Sequence, residues 1–332
     1  MLQRDNSPFF EICVTHVHRH AMASSCSPTS CLNIKTRFLV LSDTHGHEIP
    51  PEYFEHQADV AIHCGDLTTE SKIEEFSSAI NILRSIKAPL KLVIAGNHDF
   101  TLDIPIFQRK VAEVNPPLDP QLVKREYGDY GEIRKLFNQA GTSGIVLLDE
   151  GTHHFTLANG ASLKVYASPY TPSLGDWGFQ YRPDTGHNFE ISNDVDLVMT
   201  HGPPRGIMDT TYSRERAGCP NLFAAIARAQ PRMHFFGHIH EGWGAKMVAW
   251  RERISVAPSH LTDIDNGRTT VVDNLSRLNP GTRVRKTSLY EVSPVLSQSG
   301  SQTLFVNAAV EGTEESPVQP LWLVDFGLPP AV

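Results

Sequence analysis

The sequence contains no long apolar run. None of its stretches approaches the roughly 18 consecutive apolar residues that a membrane-spanning helix needs. The first thirty residues also lack the basic start and apolar centre of a secretory leader. We therefore expect a cytoplasmic protein without a membrane partner.

The chain is short of positive charge. It has 29 lysine and arginine residues against 37 aspartate and glutamate residues, which gives a formal net charge of −8. This balance argues against a groove for extended nucleic acid and against binding to an anionic membrane surface. It does not exclude a small anionic ligand, because a local metal cluster attracts anions even on an acidic protein.

Cysteine is scarce as well. The five cysteines are an odd number, widely spaced, in a chain too large to need disulfide cross-links. This pattern favours a reducing compartment, which agrees with the expected cytoplasmic location.

The 332 residues are enough to bury a full hydrophobic core, and we expect one large α/β domain rather than two small ones. Residues 1–36 show no helix or strand periodicity and are predicted to form a poorly ordered tail. The domain is predicted to span residues 37–328. Within it, residues 251–302 are rich in Ser, Thr, Asn and Arg and are predicted to be an insertion. The sequence leaves the oligomeric state open.

The first part of the domain alternates strands with one clear helix. Residues 38–41 form a continuous apolar run, typical of a central strand that is covered on both faces, and residues 60–64 and 90–95 are the second and third predicted strands. Residues 71–86 carry apolar side chains at helical spacing. The strand–helix–strand order predicts parallel pairing with a right-handed crossover.

Shorter elements follow. Residues 145–148, 153–157 and 163–167 are separated by turns that contain glycine, and they suggest a second, largely antiparallel sheet. After Phe100 the periodicity weakens, and Asn-Pro-Pro and Asp-Pro predict turns. Two more helices and four more strands are predicted, at residues 131–140 and 220–229 and at residues 194–200, 233–236, 304–306 and 321–324.

Five of the predicted strands run directly into polar side chains that can bind metal ions. These side chains are Asp43 and His45, Asp66, Asn97 with His98 and Asp99, His201, and His238 with His240. They offer hard oxygen and imidazole nitrogen without thiolate. This ligand set suits Mn, Fe, Zn or Mg rather than a structural zinc site built on cysteine.

The spacing of these residues favours two ions. Asp43 and His45 are two residues apart, so in an extended segment they share a face and can bind one ion together. The same holds for His238 and His240. Asp66 can use both carboxylate oxygens to bridge two ions about 3.5 to 4 Å apart, the separation found in two-metal hydrolases.

Each of these motifs alone is common by chance. An Asp-x-His triplet occurs in many proteins, and Gly-Asp often marks an ordinary turn. All five strands, however, are followed by residues able to bind metal. The numbers of residues between successive strands also fit crossover connections. That pattern is hard to produce as a solvated surface.

The motifs DTH, GD, GNHD, HG and GHIH resemble the five signature motifs of the calcineurin-like metallophosphoesterases, over about residues 37–244. The stretches DWGFQ, HGPPRGIMD, FGHIHEGWG and LFVNAAV are similar to a single-domain subgroup known from animal brain, with fungal relatives. The resemblance implies a four-layer α/β/β/α sandwich with mixed sheets and with metal ions at the strand ends. The long segment between Gly244 and Leu304 departs from the compact subgroup pattern.

The resemblance also assigns roles to individual residues. It implies one ion held by Asp43, His45, Asp66 and His240, and a second held by Asp66, Asn97, His201 and His238. A metal-bridging hydroxide would be the nucleophile, and manganese is favoured over iron, zinc and magnesium as the cofactor. His98 would contact the phosphate and protonate the leaving oxygen, and Asp99 would orient His98.

These assignments predict a metal-dependent phosphohydrolase, most specifically a phosphodiesterase acting on small phosphodiesters such as cyclic nucleotides. A Ser/Thr protein phosphatase or phosphomonoesterase of the same superfamily is the first alternative. It is disfavoured because no arginine pair accompanies the GD and GNHD motifs. A metal-binding interaction protein without catalysis is the second alternative, and it is disfavoured because no ligand position is missing.

Substrate contacts are less defined by the pattern. Besides Asn97 and His98, we expect Trp177 and Arg205 to line the substrate pocket. His63 and Cys64 alternate within a strand, and we expect them to pack rather than to bind metal.

Overall fold

A computed structural model describes residues 33–47, 49–278, 290–292, 302–313 and 316–332. The predicted tail, apart from its last four residues, lies outside these ranges. Within the described residues, no helix is long and apolar enough to cross a membrane.

Each predicted strand is present, other strands were not predicted, and all are numbered here in chain order. They are β1 Ile34–Leu41, β2 Val60–His63, β3 Leu90–Val93, β4 Ile145–Leu147, β5 Gly151–Thr156, β6 Ser162–Ser168, β7 Thr171–Pro172, β8 Gln180–Tyr181, β9 Leu197–Thr200, β10 Met233–Phe236, β11 Gly244–Ala249, β12 Thr270–Asn274, β13 Tyr290–Val292, β14 Gln302–Asn307, β15 Glu311–Thr313, β16 Ser316–Val318 and β17 Trp322–Leu328. The helices are α1 Ile73–Ser85, α2 Ile104–Glu113, α3 Pro120–Tyr127, α4 Glu132–Ala140 and α5 Pro220–Ala229.

Two mixed sheets form the centre of the fold. The first has the order β13-β17-β1-β2-β3-β4, in which β1 to β4 are parallel and β17 is antiparallel to β1. The second has the order β12-β11-β14-β10-β9-β6-β5. Apolar side chains from both sheets meet between them, for example Val40 and Ile62 from the first sheet and Met199 and Phe235 from the second.

Helices cover the outer face of each sheet. Phe76 and Ile80 of α1 and Phe137 of α4 pack on the outer face of the first sheet. Phe223 and Ile226 of α5 pack on the outer face of the second. The resulting order of helix, sheet, sheet and helix confirms the predicted four-layer sandwich.

The second sheet is not largely antiparallel, as the short runs had suggested. Its four central strands, β6, β9, β10 and β14, are parallel, and only the outer strands are antiparallel. The connection from β9 to β10 passes through α5, and a strand–helix–strand connection pairs strands in parallel. The run at residues 145–148 also joins the first sheet, where it pairs with β3.

Two helices that were not predicted flank the predicted turns after Phe100: α2 ends at Glu113 and α3 begins at Pro120. The prolines do not break α3; Pro120 occupies its first turn, where its missing N–H costs nothing. Asp119 precedes the helix and accepts a hydrogen bond from the Gln121 N–H at 2.9 Å. Each of these helices buries only one apolar side chain, Phe107 in α2 and Val123 in α3. Because so few apolar side chains are buried, the sequences of these helices show only a weak apolar periodicity.

The first part of the predicted insertion belongs to the packed fold. β12 pairs with β11 at the edge of the second sheet, and the side chains of Ile264 and Leu278 are buried in apolar clusters. Asp263 is fully buried and accepts hydrogen bonds from Ser255 and from neighbouring groups. The polar composition of residues 251–278 therefore reflects an internal hydrogen-bond network as well as solvent exposure. Residues 279–289 and 293–301 lie outside the described ranges.

Candidate metal centre

The predicted ligands meet at one edge of the sandwich. Parallel strands present their carboxyl ends at the same edge of a sheet, and the ligands follow β1, β2 and β3 in the first sheet and β9 and β10 in the second. A hydrogen bond of 2.9 Å from His201 Nδ1 to the Cys64 carbonyl joins the two sheets at this edge. Three groups of possible ligand atoms lie there within 4.8 Å of one another: Asp43 with His45 and His240, His45 with Asp66 and His98, and Asp66 with His201 and His238.

The backbone of this region is strained at the ligands themselves. Asp43, His45, Asp66 and His238 adopt φ angles of 55°, 45°, 54° and 67°. This left-handed region costs a residue other than glycine on the order of 1 to 3 kcal/mol. The surrounding fold therefore holds four of the seven predicted ligands in conformations that they would not adopt alone.

At two positions of the motifs, a ligand carboxylate lies so close to the backbone that only glycine fits. A Cβ atom on Gly96 would collide with the Asp66 carboxylate, and one on Gly237 would collide with the Asp43 carboxylate. Any side chain at either position would push a ligand out of place. This explains in physical terms why glycine precedes Asn97 and His238.

Asp43, His45 and His240 form one side of the site. The distance from His240 Nε2 to Asp43 Oδ1 is 3.4 Å, and both Asp43 oxygens accept the backbone N–H of His238 at 3.0 Å. Burial alone would raise the pKa of Asp43. The hydrogen bond and the charge of His240 outweigh burial and hold this pKa well below its usual range.

Asn97, His201 and His238 form the other side. His201 Nε2 lies 3.0 Å from Asn97 Oδ1 and 3.2 Å from Asp66 Oδ2. Burial would lower the pKa of His201, but the charge and hydrogen bond of Asp66 raise it to about 9 in the protein without bound metal. Burial and the neighbouring His201 lower the pKa of His238 to about 4.

Asp66 has the position expected of a shared ligand. Its Oδ2 atom is 3.2 Å from His201 Nε2 on one side and 3.8 Å from His45 Nε2 on the other. Its Oδ1 atom accepts the backbone N–H of His98 at 2.8 Å. One carboxylate thus reaches both sides of the site.

The residues present fit divalent metal ions. His45 Nε2 is buried and has no hydrogen-bond partner. Its Nδ1 lies 3.1 Å from the Thr68 carbonyl, which can only accept, so Nδ1 carries the proton and Nε2 presents a lone pair. A buried lone pair without a partner, beside two carboxylates and further imidazoles, is the donor set of a metal site rather than of a packed core.

His98 lies beside this donor set. Its Nδ1 is 2.7 Å from the Thr69 carbonyl, which leaves Nε2 free. The Trp177 ring packs on the imidazole of His98 with a centroid separation of 4.3 Å. The predicted pocket residue Trp177 therefore contacts a predicted catalytic residue directly.

Asp99 does not orient His98 as expected. Its carboxylate accepts hydrogen bonds from the backbone N–H groups of Gly96, Leu67 and Thr68, and the Thr69 carbonyl takes the place beside the His98 ring. Burial, together with the charge of Asp66, raises the pKa of Asp99 to about 7. The Asp99 carboxylate thus connects the loop that carries Asp66 to the loop that carries Asn97. It positions metal ligands and does not position the His98 ring.

The other residues considered from the sequence take less central places. Arg205 is exposed on the loop after β9, and its role as a substrate contact stays a prediction. His63 packs within the fold, 3.0 Å from the Thr44 hydroxyl, and the Cys64 side chain lies in the core between the sheets.

Glu311 was not expected at the site. Its Oε2 atom lies 3.2 Å from His45 Nε2. The sequence did contain a signal, because β14 is an apolar strand parallel to β10 and Glu311 follows its carboxyl end. The same pattern of strand and carboxylate had identified Asp66.

Residues 36–242, more than half of the chain, match the family model of the calcineurin-like phosphoesterases. The chain belongs to this family. It is 34% identical over 215 residues to metallophosphoesterase domain-containing protein 1 of Homo sapiens, which covers 63% of this chain and 62% of that protein. It is 33% identical over 219 residues to a probable rhamnogalacturonate lyase C of Emericella nidulans, which covers 64% of this chain and 18% of that protein.

A longer match exists in Caenorhabditis elegans. UPF0046 protein K07C11.7 is 26% identical over 273 residues, which cover 81% of this chain and 79% of that protein. Among solved structures, the phosphopantetheinyl hydrolase of Mycobacterium tuberculosis superposes with a TM-score of 0.38 at 13% identity, over 65% of this chain and 85% of that one.

Proposed function

We propose that this protein is a phosphohydrolase with two divalent metal ions, and that its substrates are small phosphodiesters such as cyclic nucleotides. The observation that carries the proposal is the meeting of Asp43, His45, Asp66, Asn97, His201, His238 and His240 at the carboxyl ends of strands from both sheets. The family membership supports phosphoester hydrolysis as the reaction class.

The ions have distinct residues to hold them. Asp43, His45 and His240 would hold one ion, and Asn97, His201 and His238 the other, with Asp66 shared. Bound at these positions, such ions neutralise charge on the phosphoryl group and lower the pKa of water. The ligand set accepts Mn, Fe, Zn or Mg, and we favour Mn.

His98 supplies the proton in this proposal. The Thr69 carbonyl accepts the Nδ1–H and so fixes the orientation of the ring. Nε2 can then give its proton to the oxygen that leaves phosphorus. Trp177 packs against the ring and restricts its rotation, which keeps Nε2 directed at the site.

The distribution of charge favours diesters over monoesters. The groups that act most strongly on the pKa values of Asp43, Asp66 and His201 are other members of the site, and no lysine or arginine is among them. Lys110, which lies over the Trp177 ring, is paired with Asp176 at 3.1 Å. A dianionic monoester gains more from cationic side chains than a singly charged diester does.

The test is turnover of the purified protein on matched substrates. Bis(p-nitrophenyl) phosphate and cyclic nucleotides are compared with p-nitrophenyl phosphate and a phosphoserine peptide, each with Mn, Fe, Zn or Mg. We expect faster turnover of the diesters. Faster turnover of the monoester or the peptide would favour the phosphatase alternative, and no turnover with any metal would favour a binding protein.

A further inference from the structure

We propose that Glu311 is an additional ligand of the ion held by Asp43, His45 and His240. The proposal rests on the proposed function in one respect, namely that a divalent ion binds between these residues. It goes beyond that function because it adds a third carboxylate, from a different part of the chain, to the site.

The contact between Glu311 and His45 brings a carboxylate oxygen and an imidazole nitrogen side by side. Glu311 Oε2 and His45 Nε2 are 3.2 Å apart, yet His45 Nε2 makes no hydrogen bond. The proton of this imidazole is on Nδ1, because the Thr68 carbonyl accepts there. Two such atoms are donors that one metal ion between them can bind together.

The distance also fits neighbouring ligands of one ion. Bonds of about 2.1 Å place two adjacent ligand atoms about 3.0 to 3.4 Å apart, for right-angled and tetrahedral arrangements respectively. The contacts between predicted ligands measure 3.0 Å for His201 with Asn97, 3.2 Å for His201 with Asp66, 3.4 Å for His240 with Asp43 and 3.8 Å for His45 with Asp66. The contact of Glu311 with His45, at 3.2 Å, lies within this range.

The backbone around Glu311 is held against the metal loops. The Gln319 side-chain N–H₂ group donates to the carbonyls of Glu311 at 2.9 Å and of His240 at 3.3 Å. Val310, immediately before Glu311, donates its N–H to the Ser42 carbonyl at 2.8 Å. Glu311 is thus tied to the two segments that carry Asp43 and His240.

The exposure of Glu311 suits a ligand at the rim. Its side chain is 36% exposed, whereas that of His45 is 6% exposed. A charged carboxylate at this position keeps part of its hydration when the site is empty, and it can turn onto an ion without breaking a buried ion pair. Because carboxylate ligands suit Mn and Mg better than additional imidazoles do, Glu311 should favour these ions over Zn.

The test measures binding of Mn²⁺ to the full chain after removal of metal with EDTA. Free Mn²⁺ is followed by electron paramagnetic resonance while wild type, Glu311→Gln and Glu241→Gln are titrated. Glu241 is the matched control, since it follows His240 directly but accepts the backbone N–H of Tyr212 at 2.7 Å. We expect Glu311→Gln to lower the affinity for one of the two Mn²⁺ ions at least about 10-fold. We expect Glu241→Gln to bind both ions with wild-type affinity.

A second variant locates the affected ion. Asn97→Ala should lower the affinity for the ion on the His201 side. The double variant Glu311→Gln, Asn97→Ala should therefore bind both ions with lower affinity. If the double variant kept one ion at wild-type affinity, Glu311 would act on the same ion as Asn97 and the assignment to the Asp43 side would be wrong. Zn²⁺ titrated in the same way should lose less affinity than Mn²⁺ in Glu311→Gln.

The outcomes separate this inference from the proposed function. Wild-type affinity for both Mn²⁺ ions in Glu311→Gln would overturn the ligand role alone, and a lower KM with unchanged metal binding would show that Glu311 repels the substrate instead. A wild-type chain that neither binds Mn²⁺ nor hydrolyses any phosphoester would overturn the proposed function together with this site. Equal melting temperatures of the metal-free variants would establish that the fold is intact.

Discussion

The two sides of the metal centre differ in how their histidines are bonded, although each side combines two buried residues with one partly exposed histidine. The inner side consists of Asn97, His201 and His238, and the outer side of Asp43, His45 and His240, with Asp66 reaching both. His201 is 0% exposed and bonded on both nitrogens, whereas the side chain of His240 is 26% exposed. His201 therefore contributes to the structure even without metal, while His240 is partly open to solvent.

The two sides also draw on different lengths of chain. The inner side comes from the loops after β3, β9 and β10, all central strands of their sheets. The outer side comes from the loops after β1 and β10 and is approached by Glu311, which follows β14. The comparison teaches that both sides share the loop after β10, whereas Glu311 comes close to the outer side at His45. The variants below test that difference.

The largest effect is expected for Asp66→Asn, because Asp66 is the one residue that reaches both sides. The variant removes the charge that attracts both ions, and we expect loss of detectable hydrolysis together with a lower metal content. The fold should survive, because asparagine keeps the size of the side chain. Both ions at wild-type occupancy with full activity would show that Asp66 is not shared.

His98→Ala should have the next largest effect, and the effect should depend on the leaving group. General acid catalysis accounts for about 10² to 10⁴ in rate. We expect the rate to fall by a factor in this range for esters of ordinary alcohols or riboses. The fall should be much smaller for p-nitrophenyl esters, because their leaving group departs readily without a proton. Metal content should stay unchanged. Equal losses on both substrate types would point to positioning alone, and loss of an ion would make His98 a ligand.

The stability of the metal-free protein should separate the inner from the outer side. His201→Ala leaves the buried Asp66 carboxylate without its partner, and such a loss costs about 3 to 5 kcal/mol. His240→Ala leaves the buried Asp43 carboxylate without its partner, but the His240 side chain is 26% exposed and water can partly take its place, so we expect a smaller cost than for His201→Ala. Urea unfolding in EDTA measures both. Equal costs for the two variants would contradict the distinction.

The pH dependence of stability tests the role of His201 further. In the metal-free protein the pKa of His201 is raised to about 9, against about 6.5 in an unfolded chain. The stability that its charge contributes is present below about pH 6.5 and is lost as the pH rises through 9. The free energy of unfolding in EDTA should therefore fall over this interval, and His201→Ala should flatten the decline. A free energy that rises between pH 6.5 and 9 would refute the assignment.

Several features of the site followed from the sequence because they depend on local pattern. An apolar run that stops at Gly-Asp or at Gly-Asn-His predicts a buried strand with a ligand at its end, whatever the rest of the chain does. The strands before Asp66 and Asn97 are both present. α5 spans Pro220–Ala229 as predicted, because proline in its first turn and a wide apolar face make a strong signal.

The helices α2 and α3 and the strand β12 were not predicted as such. Each of these elements has little buried apolar surface, so apolar residues recur in its sequence with only a weak periodicity. Their place is decided by contacts with other parts of the fold, such as the pairing of β12 with β11. The polar composition that suggested a loop at residues 251–278 also hid the buried Asp263.

By itself the sequence determined which side chains can bind metal and which strand ends carry them, because strand periodicity and residue type are local properties. Only the tertiary structure decided which partner each polar atom meets. Asp99 faces the backbone of the Asp66 loop instead of the His98 ring, and Glu311 reaches His45. Partners of this kind depend on how loops from distant parts of the chain are placed across two packed sheets, and no local pattern encodes that placement.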